Sequence, residues 1–559
     1  MKKTFLLFIL ALCSIALFAQ NLNWLWAKQA GGISGDKGYS IAVDAYGNSY
    51  ITGYFRESAT FGTTTLTSSS DYGSDIFVAK MDINGNWLWA KQAGGTDYDD
   101  GYSIAVDANG NSYVTGYFYG SATFGTTTLT SSSDYGSDIF VAKLDINGNW
   151  LWAKQAGGTS YDYGNRIAVD AYGNSYVTGY FKSSSCSFGT ITLNSSGYED
   201  IFVAKMDSNG NWMWAKQAGG TSEDGGTSIA VDANGNSYVT GSFKESANFG
   251  TTTLTSSGSW DIFVAKIDHN GNWLWAKQAG GTDNNGGISI AVDANGNSYV
   301  TGGFYGSSCS FSTITLINSS IEYSDIFVAK IDYNGNWLWA KQAGGTSYDY
   351  GEGIAVDDNG NSYVTGRFGD SATFGTTTFT SSGDSDIFVA KLDSSGNWLW
   401  AKQAGGTDDD DGNGIAVDDN GNSYVTGYFW SSATFGATTL TSSSDYGSDI
   451  FVAKLGEVNS ISLPDIISFS GIRSIYPNPF NPLTTIDYEI SMPADVKIEV
   501  YNNRGQLVRN FILGYKEQGS YKLTWEGEDN NGCLCSTGIY YIRMQAGKEI
   551  YIKKAVLLK

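Results

Sequence analysis

Residues 86–118 read NWLWAKQAGGTDYDDGYSIAVDANGNSYVTGYF, and residues 138–152 read DIFVAKLDINGNWLW. Four short segments rich in β-branched and aromatic residues lie in this span, as strands prefer. Asn109-Gly110 and Asn147-Gly148 separate two pairs of them, and Asn-Gly supplies the positive φ that tight hairpins need. The other two connections are longer: a Ser/Thr-rich stretch (SATFGTTTLTSSS) and an Asp-rich loop (GGTDYDDGYS).

The unit recurs. WxWAKQAGG begins at Trp24, Trp87, Trp150, Trp212, Trp273, Trp337 and Trp398, and IAVD, NSY(V/I)TG and DIFVAK each follow seven times. A repeat of about 60 residues with four antiparallel strands predicts a propeller blade with one enlarged loop. The last unit stops after Asp449–Leu455, and an extra copy of its missing strand, Trp24–Gln29, precedes the first unit. That segment is expected to complete the last blade and remove an exposed edge. The expected fold is all-β: a seven-bladed propeller over residues 20–455, then a small sandwich.

These motifs resemble the SBBP repeat, a bacterial β-propeller repeat, over residues 21–455. The resemblance implies the fold and no single activity.

The chain changes style after Leu455. Pro464, Pro477, Pro479, Pro482 and Pro493 are its five prolines. A linker (456–470) leads to alternating segments at Thr485–Ile490, Asp495–Tyr501, Ser520–Trp525, Gly538–Met544 and Glu549–Leu557, which predict an Ig-like sandwich of about seven strands over 471–559. YPNPFNP (Tyr476, Pro477, Asn478, Pro479, Phe480, Asn481, Pro482), VYNNRGQLV, STGIYYIRM and the terminal KKAVLLK are similar to a type A sorting domain of the type IX secretion system. That resemblance implies recognition by this machinery at the outer membrane, then release or anchoring.

Lys2, Lys3 and the apolar run Phe5–Phe18 read as a secretory signal peptide cleaved after Ala19, too short for a spanning helix. A secreted or cell-surface protein reached through the periplasm is expected, with no transmembrane segment after signal removal and a monomeric state. Residues 20–470 carry 20 basic and 47 acidic side chains, a field that repels nucleic acid. Apart from Cys13 in the signal, only Cys186, Cys309, Cys533 and Cys535 remain, too few for a disulfide scaffold, and Cys186 and Cys309 sit two repeats apart.

Enzyme signals are poor, and no catalytic residue or resident cofactor is expected. His269, the only histidine, occupies a hairpin turn and has no second imidazole for a triad or metal site. Arg56, Arg166 and Arg367 occupy non-equivalent repeat positions, which argues against an arginine-lined pocket. Asp97, Asp99 and Asp100, and Asp408 to Asp411, read as exposed acidic loops, where a raised carboxyl pKa for glycosidase chemistry is not expected. The Asp-x-Asn-Gly-Asn turns miss the EF-hand spacing, so calcium is considered only for the acidic loops. The paired tryptophans, at i and i+2, are expected on one strand face. There each could bury about 200 Å², worth up to about 5 kcal/mol, in blade packing.

Topology puts the Asn-Gly hairpins on one face and the long loops on the other. The second face carries Asp97, Tyr98, Asp99, Asp100, Tyr161, Tyr163, Trp260, Tyr348, Tyr350, Asp408, Asp409 and Trp430. Variable loops on a rigid scaffold are where binding usually resides. The expected function is a non-catalytic binding or adhesion propeller for an extracellular glycan or protein, with several weak, similar sites. A structural spacer and an unrecognised enzyme are the alternatives.

Overall fold

The computed structural model describes residues 22–70, 72–444, 447–457, 470–517, 519–547 and 549–558. The signal-peptide reading, Cys13 and most of the 456–470 linker lie outside these residues. The chain divides into two compact units between Glu457 and Val458.

The first unit is the seven-bladed propeller. In the first blade the strands Lys37–Val43, Ser49–Phe55, Asp75–Met81 and Trp87–Ala93 pair antiparallel in that order, from channel to rim. Five further blades repeat this order. The seventh is assembled from Asp410–Val417, Ser423–Phe429, Asp449–Glu457 and, outermost, Leu22–Ala30. Inner strands of neighbouring blades touch around the whole ring, the seventh against the first included. DIFVAK is buried throughout in the first blade, because both sheet faces pack on neighbours.

The tryptophans depart from expectation. Trp87 pairs with Met81 and Trp89 with Lys80, so Leu88 is an extra residue opposite no partner. This bulge resets the side-chain alternation. Trp87 therefore packs with the core shared by blades seven and one, and Trp89 with the core shared by blades one and two. Both are half-buried, and Leu88 between them is exposed. The expected full burial on one face is replaced by partial burial on two.

The Ser/Thr stretch is also more ordered than a loop. Ser58–Phe61 and Thr64–Thr67 form a hairpin, with Phe61 buried edge-on to Trp87 at 5.2 Å. Thr60 bridges Gly31, which follows the outer strand of the preceding blade. Each such hairpin staples two blades at the rim.

Each Asn-Gly turn is organised by its aspartate. Asp44 Oδ1 accepts the Tyr46 and Asn48 N–H groups, while Oδ2 accepts the Asn48 amide and the Tyr50 hydroxyl. Tyr50 is fully buried, also donates to the Gly110 carbonyl of the next blade, and lies beneath the Lys80 ammonium.

The second unit pairs a three-stranded sheet (Gly471–Tyr476, Thr484–Ile490, Gly519–Trp525) with a four-stranded one (Leu507–Lys516, Ala494–Asn502, Gly538–Ala546, Glu549–Leu557). Two of these seven strands, Gly471–Tyr476 and Leu507–Lys516, are absent from the segments read in the sequence. Phe480 is buried on Trp525, and its backbone bonds to Val556 and Leu558, while the Asn478 side chain bonds to Lys554 and Val556. The YPNPFNP segment thus clamps the last strand. Among the described residues, no helix is long and apolar enough to cross a membrane, and all four cysteines are free thiols.

Deleting residues 21–31 strips the rim from the seventh blade and leaves Asp449–Leu455 as an apolar edge. The truncated protein should aggregate or melt well below the full chain in scanning fluorimetry. An unchanged Tm would refute closure by this strand.

Candidate functional site

The acidic segments are not exposed loops. Asp97 is exposed and Asp408 half-exposed, but Asp99, Asp100, Asp410 and Asp411 are buried at the start of inner strands. Asp99 Oδ2 accepts the Gly95 N–H at 2.7 Å, and Oδ1 accepts the Tyr119 N–H at 3.1 Å. Asp36, Asp162, Asp224, Asp349 and Asp410 make the same two bonds in their blades. One buried carboxylate ties the incoming loop to the end of the second strand. Burial pushes Asp99 up to about 8 against the two N–H donors, and Asp75 and Asp100 add to the rise. Asp36, Asp349 and Asp410 are also pushed to about 8. Asp162 reaches only about 6, where the Ser183 hydroxyl donates as well. In the fifth blade the residue is Asn285.

The remaining sequence candidates divide by blade. Tyr98, Tyr161 and Tyr348 are exposed, as is Asp409, which accepts the Ser385 hydroxyl. Tyr163 and Tyr350 are half-buried at the channel. The structure does not gather this set into one site: Tyr163 joins Tyr117 and Tyr119, whereas Tyr350 joins Tyr305.

Beyond the aspartate, each inner strand borders the central channel while burying an isoleucine, Ile104 in the second blade, in the core between blades. The residue after the aspartate meets the second strand of the preceding blade, and every seam differs. Lys37 stands 3.7 Å over the Tyr428 ring, a cation–π contact. Tyr163 packs edge-on to Tyr117 at 4.8 Å. Asp411 pairs with Arg367 at 2.9 Å. Gly225 lies under Tyr180, and Gly303 lies so close under Tyr350 that an added methyl would come within 2.7 Å of its ring. Asp100 instead accepts the hydroxyl of Ser74, which leads into the third strand of the preceding blade, and that of Tyr117 in its own blade. The seventh seam, Ser242 against Gly286, joins two small residues, and a methyl on Gly286 would meet nothing within 4 Å.

Two inferences from the sequence need correction. Non-equivalent repeat positions do not keep the arginines apart. Arg166, in blade three, donates to Ser289 in blade five at 3.2 Å and so reaches across the lumen. Both it and Arg367 act electrostatically on Glu352, and Arg56 and Arg367 both act on Lys37. Recessed carboxyls with raised pKa also exist. Glu352 is raised by burial and by Asp411, against Arg367 and Arg166. Asp411 is raised by burial, against Arg367 and Lys37. This polar cluster of blades one, three, six and seven was missed because each member is unremarkable in its own repeat. The available signal was the departures from the repeat on the inner and second strands: Arg166, Glu352, Arg367 and Asp411 each differ from the residue at that position in most other copies.

The channel mouth therefore offers one charged, aromatic side and one side of small residues at blades four and five. It is not seven similar sites.

Comparison with known proteins agrees with this architecture. Residues 25–54, 88–117, 151–180, 214–242, 338–367 and 399–431 match the SBBP β-propeller repeat, and residues 482–549 match the FlgD Ig-like domain. An uncharacterised WD repeat-containing protein, L264, of Acanthamoeba polyphaga mimivirus is 26% identical over 72% of this chain and 36% of its own length. The regulatory protein FlaEY of Caulobacter vibrioides is 27% identical over 52% of this chain and 32% of its own. The chain spans about a third of the length of these curated relatives. Among solved structures, PorZ, a surface component of the type IX secretion system of Porphyromonas gingivalis, is 12% identical. The alignment covers 95% of this chain and 75% of PorZ at a TM-score of 0.22. A fungal alcohol oxidase of the AA5 family is 12% identical over 96% of this chain and all of its own, at 0.40. Scores this low carry no functional argument. What stands is a chain of SBBP propeller repeats with a C-terminal Ig-like domain.

The buried aspartates set a pH dependence. Their ordinary value is 3.8 and the folded values reach about 8, so the folded protein keeps protons that the unfolded chain has released. Their contribution to stability is complete below the unfolded pKa and is lost as pH rises through the folded one. The Tm should fall from pH 5 to pH 8.5, less steeply in Asp99→Asn than in wild type. A Tm that rises over this window would overturn the assignment.

Proposed function

We propose that this chain is a non-catalytic, extracellular ligand-binding propeller that uses the long-loop mouth of its channel, with the Ig-like domain acting as its export signal. One observation carries the binding reading. DIFVAK is identical in all seven copies, yet the channel-facing residue pairs change in size or charge from seam to seam. A scaffold kept constant around a varied recess supports recognition more than a passive spacer. The acidic body favours neutral or cationic ligands. A glycan array and a pull-down against extracellular polymers, run with the full mature chain, should give ligands that Arg367→Ala and Tyr163→Ala weaken. A protein that binds nothing in either format would favour the spacer reading.

Export rests on the sorting-domain motifs, and in particular on YPNPFNP, which holds the terminal strand in place. In a host with type IX machinery, removal of 475–559 should strand a folded propeller in the periplasm. If the truncated propeller still reaches the surface, the export reading is wrong.

Hydrolysis in the channel is a second reading, favoured by Glu352 beside Asp411. It requires glycosidase activity that Glu352→Gln abolishes without lowering Tm.

A further inference from the structure

We propose that the seam between blades four and five is a binding pocket for a single neutral pyranose ring. This deepens the binding reading above and rests on it. Four departures from the repeat meet here, each from a different position in the unit. Ser242 stands where four other blades have tyrosine and one has arginine. Gly286 faces open space. Trp260 occupies a position that is serine in five blades, where the hydroxyl of Ser74, for example, bonds to Asp100 of the next blade. Asn285 replaces the buried aspartate. Together with Tyr305 and Tyr350 these residues line a cavity of about 200 Å³.

Asn285 supplies an independent sign of a ligand. It is 1% exposed, and its Nδ2 donates to the Trp260 and Asp283 carbonyls at 3.3 and 2.9 Å. Its Oδ1 is buried without a hydrogen-bond partner. In the other blades both oxygens of the aspartate are satisfied by backbone N–H groups. A buried acceptor left unpaired costs about 1–3 kcal/mol, and a ligand hydroxyl that displaces the groups covering Oδ1 would remove that cost.

The lining identifies the class. Trp260, Tyr305 and Tyr350 contribute aromatic rings to the lining, Ser242 and Asn285 contribute hydroxyl and amide groups, and no lining residue is ionised. Aromatic faces suit the axial C–H groups of a sugar, and neutral polar groups suit its hydroxyls. The fold itself seats rings over glycine at two other seams: Tyr180 over Gly225 and Tyr350 over Gly303. At the open seam the ring must come from outside the chain.

The repeat also supplies the test variants. Tyrosine is native at the Gly286 position in two blades (Tyr163 and Tyr350), and serine is native at the Trp260 position in five. Gly286→Tyr and Trp260→Ser should therefore fold with a wild-type Tm. The full mature chain is titrated with methyl glycopyranosides of glucose, galactose, mannose and N-acetylglucosamine, using saturation-transfer NMR and calorimetry. At least one should bind with one site per chain. Gly286→Tyr should abolish that binding and Trp260→Ser should weaken it tenfold or more. The proposal is overturned if no glycoside binds, if the variants bind like wild type, or if N-acetyl-tyrosinamide displaces every sugar, which would assign the pocket to a peptide. If the glycan array is positive while Gly286→Tyr binds unchanged, the pocket fails and the broader binding reading survives.

Discussion

A carboxylate that accepts two backbone N–H groups, repeated in six of the seven blades, is the constraint that organises the propeller. Asp99 holds Gly95 from the loop that enters the blade and Tyr119 from the end of the second strand. Without it, two chain segments that share no sheet hydrogen bonds would lie at the channel mouth with unsatisfied donors. The bond pair sets where each inner strand begins, and so which residue follows on the channel wall. Because the clamp is buried, its carboxyl is costly to ionise. Architecture and acid–base behaviour thus share one cause.

Strand count, ring closure and hairpin positions were legible in the sequence because they depend on local chemistry repeated seven times. Asn-Gly turns, β-branched strands and an extra WLWAKQ copy need no tertiary knowledge to interpret. Facing was harder. Trp87 and Trp89 sit at i and i+2, and only the pairing to Met81 and Lys80 reveals the bulge that separates them. Burial of Asp99 was likewise hidden, since TDYDDG reads as a solvated loop until its first strand residue is known.

The candidate site was least legible because it is built from differences and not from motifs. Arg166, Glu352 and Arg367 come from two blades and three repeat positions, and only closure of the ring brings them around one lumen. The open seam is a coincidence of small residues, Ser242 and Gly286, that leave no trace in a composition or a motif search. In a near-perfect repeat, the copy-to-copy differences carry the information, and the structure supplies the map that says which differences are neighbours.

The bulge between the paired tryptophans has a consequence for how such a chain can change. Each unit presents one indole to the blade before it and one to the blade after it, so every unit carries matching halves of the two contacts it shares. A gene that gains or loses a whole copy by unequal recombination leaves these rim contacts chemically intact. The channel seams behave differently, since each depends on a particular pair such as Arg367 with Asp411. Recombination would shuffle those pairs while preserving the frame, generating new recesses at little risk to folding.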